Sequence, residues 1–97
     1  MYDGTSWYGE RVGDPNKTIH LIFEAGGQEC SVFKANGQMK EEGVCLYVQW
    51  SSHNTFKLLD GHTEYNGTIS GEKMSLSANS DGLLTVIVNY ELTKKRD

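Results

Sequence analysis

The residues best placed to do chemistry in this sequence are six large rings: Trp7, Phe23, Trp50, Phe56, Tyr65 and Tyr90. Alternation along their segments turns all six to one face. Rings gathered on one face either pack together as a core or line a mouth that takes an apolar or planar molecule. In the second case, apolar area removed from water supplies the affinity, at roughly 25 cal/mol per Å². Tyr65 and Tyr90 would orient such a ligand, because a buried phenol needs a hydrogen-bond partner. These six are the candidate ligand-binding residues.

Other chemistry has less to stand on. His20 falls on an outward position, while His53 and His62 lie at turns, so their spacing does not converge on a metal. Glu41 and Glu42 are adjacent in a loop-like stretch and both solvated. Glu10, Asp14, Asp60 and Glu64 sit near strand ends without a partner to perturb them. No phosphate-binding glycine loop, dinucleotide fingerprint, His-Glu-x-x-His or Gly-x-Ser-x-Gly occurs. Cys30 is expected inward and Cys45 outward, and such a pair does not face itself across a ladder. Two free thiols are thus favoured over a bridge, and no activating partner marks either as a nucleophile. The sequence predicts no catalytic residue, no metal and no cofactor, and an enzyme ranks last among the readings.

These residues have to be positioned by short strands. Ala25-Gly26-Gly27-Gln28, Ala35-Asn36-Gly37-Gln38, Asp60-Gly61-His62, Ser70-Gly71-Glu72 and Ser80-Asp81-Gly82 read as turns. Their spacing leaves no room for crossover helices. Between them, apolar residues alternate: Ile19, Leu21 and Phe23; Val44, Leu46, Val48 and Trp50; Phe56 and Leu58; Tyr65, Gly67 and Ile69; Met74, Leu76 and Ala78. One apolar and one polar face per segment is the pattern of an antiparallel sheet wetted on one side. The last strand sets Leu84, Val86, Val88, Tyr90 and Leu92 inward. Its stretch Leu83–Val88 is apolar on both faces, which predicts pairing on both sides or cover by a partner chain. Residues 38–42 lack alternation and allow either a short helical turn or a loop.

Length and charge narrow the class. The 97 residues suffice for one domain, residues 1–97, and 37% are hydrophobic, so the core must be built from one buried face per element. Nine basic against thirteen acidic side chains give a charge of −4, which argues against a nucleic-acid partner. The one dense basic run, Lys94-Lys95-Arg96, reads as a solvated tail. No apolar run approaches the about 18 residues of a membrane span, so no membrane partner is expected. Met1-Tyr2-Asp3-Gly4 has neither the basic start nor the apolar stretch of a signal peptide. The chain as given reads as cytoplasmic, and as secreted or periplasmic if a leader was removed.

The strand plan carries a family resemblance. Gly4-Thr5-Ser6-Trp7-Tyr8-Gly9 resembles the Gly-x-Trp first strand of lipocalins and related calycin barrels, with two residues between Gly4 and Trp7 in place of one. Residues 65–75 are similar to a hairpin of small bacterial lipocalin-like domains, in which an aromatic and a glycine lead through a turn into the next strand. Val86 to Thr93 followed by Lys94 resembles the closing strand of such barrels, where a basic residue packs over the opening Trp. The small barrel inhibitors of bacterial metalloproteases, secreted and usually disulfide-bonded, are a second resemblance of the same size. The expected fold is an all-β, lipocalin-like antiparallel meander barrel of about eight strands. The resemblance implies a module for an apolar or aromatic small molecule. The alternative is a protein-interaction or inhibitor-like domain, or a homodimer, that uses the outward residues Ile22, Phe33, Tyr47, Leu59, Leu83 and Ile87.

Overall fold

The alternating segments form one curled antiparallel sheet, described for residues 2–95 in a computed structural model. Its strands are β1 (Ser6–Arg11), β2 (Asp14–Phe23), β3 (Glu29–Asn36), β4 (Met39–Lys40), β5 (Val44–Tyr47), β6 (Gln49–Trp50), β7 (Thr55–Asp60), β8 (Thr63–Ser70), β9 (Lys73–Ser80) and β10 (Val86–Lys95). No helix occurs among the described residues. Arg96, the end of the basic run, lies outside them.

The spatial order is β4-β3-β2-β1-β10-β9-β8-β7-β6. First and last strands meet at the centre, from Ser6 opposite Lys95 to Arg11 opposite Tyr90. The far edges approach each other through residues 44–50: β5 pairs with β3, and β6 pairs with β7. Between them, the Val48 N–H donates to the Gln28 carbonyl at 2.8 Å. The sheet is thereby a half-barrel with one segment spanning its two edges.

Two expectations need correction. The stretch Gly43–Ser51 alternates like one strand, but it changes partner at Val48 and forms two. With β4 added, the count rises from about eight to ten. The helical turn allowed at 38–42 is absent. Asn36 pairs with Met39 and Ala35 with Lys40, and the Glu41 N–H donates to the Lys34 carbonyl at 2.9 Å. A two-residue turn at Gly37-Gln38 returns the chain directly onto β3, so these donors find the sheet before they can find a helical turn.

The inner face is closely filled. Trp7, Leu21, Phe23, Cys30 and Leu58 are wholly buried, and Ile19, Val32, Phe56, Tyr65, Ile69, Met74, Leu76 and Leu92 nearly so. Alternation explains each, since residues two apart share a face. Gly67 has a packing reason. It lies opposite Phe56 on β7, whose ring occupies the space where a Cβ would stand.

The last strand departs from its pattern. β9 pairs with β10 from Val86 onward, but β1 reaches only Tyr90–Lys95. Leu83 and Leu84 precede the strand altogether. Leu84 (80% exposed) and Val86 (50%) therefore lie in solvent, although period-two spacing set them inward. Periodicity fixes a face, but burial also needs a neighbouring strand long enough to reach it.

Candidate functional site

An antiparallel meander sends its turns alternately to two ends. One end gathers the β2–β3 turn, the β6–β7 turn and the segment leading into β1. The other gathers the turns at 12–13, 37–38, 61–62 and 81–85.

At the first end the chain folds a lid of rings. The Gly4 N–H donates to the Phe23 carbonyl at 2.7 Å, and the Phe23 N–H donates to the Thr5 carbonyl at 2.9 Å. Thr5 Oγ1 donates to the Tyr2 carbonyl at 2.6 Å and accepts from Trp7 Nε1 at 3.0 Å. These bonds fix Tyr2 over the core. Its ring stacks on Trp50 with centroids 5.4 Å apart and planes 18° from parallel. Tyr2 also meets Trp7 at 6.5 Å and Phe23 at 6.2 Å. Beneath them, Phe23 meets Phe56 edge-on at 5.3 Å, and Trp50 touches Phe23 at 5.6 Å and Phe56 at 5.4 Å. Such offset and edge-on pairs each contribute ~0.5–1.5 kcal/mol beyond area burial.

A groove of about 390 Å³ opens beside this cluster, lined by Tyr2, Asp3, Gly26, Gly27, Gln28, Trp50, Ser52 and His53. Its size falls in the range of small-molecule sites. Trp50 Nε1 donates to the Gly27 carbonyl at 3.0 Å, which fixes the indole plane. The Gly26 N–H donates to Asp3 Oδ2 at 3.2 Å and ties the lid to the β2–β3 turn. Gly27 has φ 71°, which favours glycine, and a Cβ there would meet Asp3 Oδ1 at 2.7 Å and displace that carboxylate. The groove thus has an aromatic floor with an amide, a hydroxyl, an imidazole and a carboxylate around it.

The structure separates the six candidate rings. Trp7, Phe23, Trp50 and Phe56 join in the lid cluster, and only Trp50 is partly exposed toward the groove. Among the described residues, no ring contact links Tyr65 or Tyr90 to them. Those two lie toward the other end, buried at 1% and 7% exposure. There Lys34 sets its Nζ 5.9 Å from the Tyr65 ring centroid. Burial alone would lower the Lys34 pKa, but the hydrogen bond to Tyr65 and the negative charge of Glu41 outweigh it, and the net direction is up. Burial raises the Tyr90 phenol, opposed by the nearby charges of Lys34 and Arg11. Lys34 thus lies against Tyr65, with Tyr90 close enough to feel its charge, as a polar edge on the core.

A second groove, of about 450 Å³, lies on the outer face along Tyr8, Thr18, His20, Phe33 and Lys40. His20 stands between two rings, edge-on to Tyr8 at 6.2 Å and tilted to Phe33 at 6.2 Å. Its Nε2 is 3.0 Å from Ser6 Oγ. Burial, with Lys95 adding to it, lowers its pKa, so the imidazole is neutral at pH 7. Cys30 is buried and Cys45 exposed, both as free thiols, and burial pushes the Cys30 thiol up to about 12. That holds it protonated and unreactive.

Sequence reasoning missed Tyr2, Gln28 and Lys34. Tyr2 precedes the first strand, so periodicity is silent on it. Lys34 was open to detection, since it continues the inward series Cys30, Val32. Family models, curated proteins and solved structures were all compared with this chain, and none matches.

Proposed function

We propose that this chain is a small-molecule binding module whose site is the groove beside the Tyr2–Trp50 stack. The stacked pair carries the proposal: two rings 5.4 Å apart, held by backbone bonds and bordering a groove of about 390 Å³. The ligand class that fits is a planar, largely apolar ring bearing one or two hydrogen-bonding groups. The ring would lie against the exposed part of Trp50. Gln28 and His53 on the rim would orient its substituents. The lipocalin-like reading points to the same class of activity; in the β1–β10 register Lys94 is the partner of Trp7. The filled interior argues for binding at this end, not deep inside the sheet.

Tryptophan fluorescence tests the reading. Trp7 is wholly buried and Trp50 half-buried, so ligand in the groove should quench Trp50 alone. A panel of fatty acids, retinoids and planar aromatics should give saturable quenching with at least one member, and Trp50→Phe should abolish it. No saturable response across the panel, or one that survives Trp50→Phe, removes this site. A protein-interaction role draws support from a different region, the apolar overhang of β10.

A further inference from the structure

β10 extends past its neighbour. The Val12 N–H donates to the Asn89 carbonyl at 2.8 Å, and among the described residues β1 pairs with nothing earlier than Tyr90. An antiparallel strand directs the backbone groups of alternate residues to the same side. Asn89 faces β1, so Ile87 sends its own N–H and C=O the same way, past the end of β1. There, among the described residues, they meet no strand.

The surroundings of this edge are unusual. Residues 83–88 carry no charge and no proline, the two devices that most often blunt an exposed edge. Leu83 is fully exposed, Leu84 80%, Ile87 61% and Val86 50%. Val12, at the turn where β1 stops, is 60% exposed. Free backbone groups on a β-branched, uncharged strand call for another strand, not for a small molecule.

We infer that the overhang of β10 pairs antiparallel with the same overhang of a second copy, about a two-fold axis through Ile87. The self-complementarity of this edge selects a second copy as occupant. With the axis at Ile87, the N–H of each Ile87 meets the C=O of the other, so one residue satisfies its own unpaired donor and acceptor. Val86 then lies opposite Val88, and no like charges face each other. The strand of the second copy leaves the pair at the C-terminal end of β1, which sets its Leu83 and Leu84 against Val12. Such a contact is isologous and closed, so it ends at a dimer. The exposed side chains offer at most on the order of 600 Å² per copy, so the contact buries no more than the ~1,200 Å² in total at which stable interfaces begin and is a weak, concentration-dependent one. The inference is independent of the ligand reading, since the groove lies at the opposite end.

Sedimentation velocity and light scattering from low micromolar to several hundred micromolar test it. The wild type should approach twice 10.8 kDa at the upper end. Ile87→Pro removes the free N–H at an edge position where proline is tolerated, and should remain monomeric throughout with an unchanged circular dichroism spectrum. Ile87→Lys keeps the backbone groups but charges the edge, and should weaken dimerisation about tenfold or more; it decides the matter if the proline variant fails to fold. A wild type that stays monomeric over the whole range overturns the inference. So does a dimer that persists undiminished in the folded variants.

Discussion

The two ends of the half-barrel solve the same problem differently. At the lid end, Tyr2, Trp7, Phe23, Trp50 and Phe56 close over one another, and backbone bonds from Gly4, Phe23 and Val48 tie the closing segments to the sheet. At the opposite end, Lys34 and the two tyrosines seal the core with polar groups, while Leu83, Leu84, Val86 and Ile87 stand outside it. Apolar side chains at the first end are part of the fold. Those at the second are carried by the fold without being used in it. Equal hydrophobicity in the sequence therefore has unequal consequences, and the difference is the length of the neighbouring strand.

Truncating one apolar side chain at each end gives the largest contrast. Phe56→Ala should cost ~3–5 kcal/mol in urea unfolding, since it empties a buried site that Gly67 cannot fill. Leu84→Ser at the other end should stay within ~0.5 kcal/mol. Comparable losses at both positions would mean that the overhang is packed in solution. Alkaline titration gives the next effect. The folded-state pKa of Cys30 is raised from 9.0 to about 12. An acid held above its ordinary value keeps its full contribution below the unfolded pKa and loses it as pH rises toward the folded one. Stability should therefore fall from pH 9 upward, by about 4 kcal/mol if the chain stays folded to pH 12. Cys30→Val should flatten that limb, leaving the later fall due to Tyr90 and Lys34. A smaller effect at the lid end belongs to Gly27→Ala, which should cost ~1–2 kcal/mol through its positive φ and the contact with Asp3. Thermal melts would give the cost, and a red shift of Trp50 emission would show the lid loosened.

Much of the lid end was legible in the sequence, because its deeper rings sit on regular strands. Phe23 continues Ile19 and Leu21, and Phe56 precedes Leu58 by two, so alternation alone places them inward. Tyr2 was not legible. Its position depends on the Gly4–Phe23 and Asp3–Gly26 bonds, which join residues about twenty apart in the chain. At the other end, alternation gave the correct face for Val86 yet the wrong burial, because the stop of β1 at Arg11 lies in a different part of the sequence. Residues 39–42 misled for a related reason. Met-Lys-Glu-Glu suits a helix locally, and only pairing with β3 overrides that preference.

The pairing of β1 with β10 has a consequence for how the molecule comes into being. Ser6 and Lys95 are hydrogen-bonded neighbours at nearly the full sequence separation the chain allows. A nascent chain on the ribosome can form the β2–β3 and β8–β9 hairpins early, but the central seam waits for the last strand to emerge. High contact order of this kind slows folding, to milliseconds or longer. Until the seam closes, the apolar faces of both halves stay open to solvent. The interval between synthesis of Ser6 and synthesis of Lys95 is then the period in which this protein most needs protection from its neighbours.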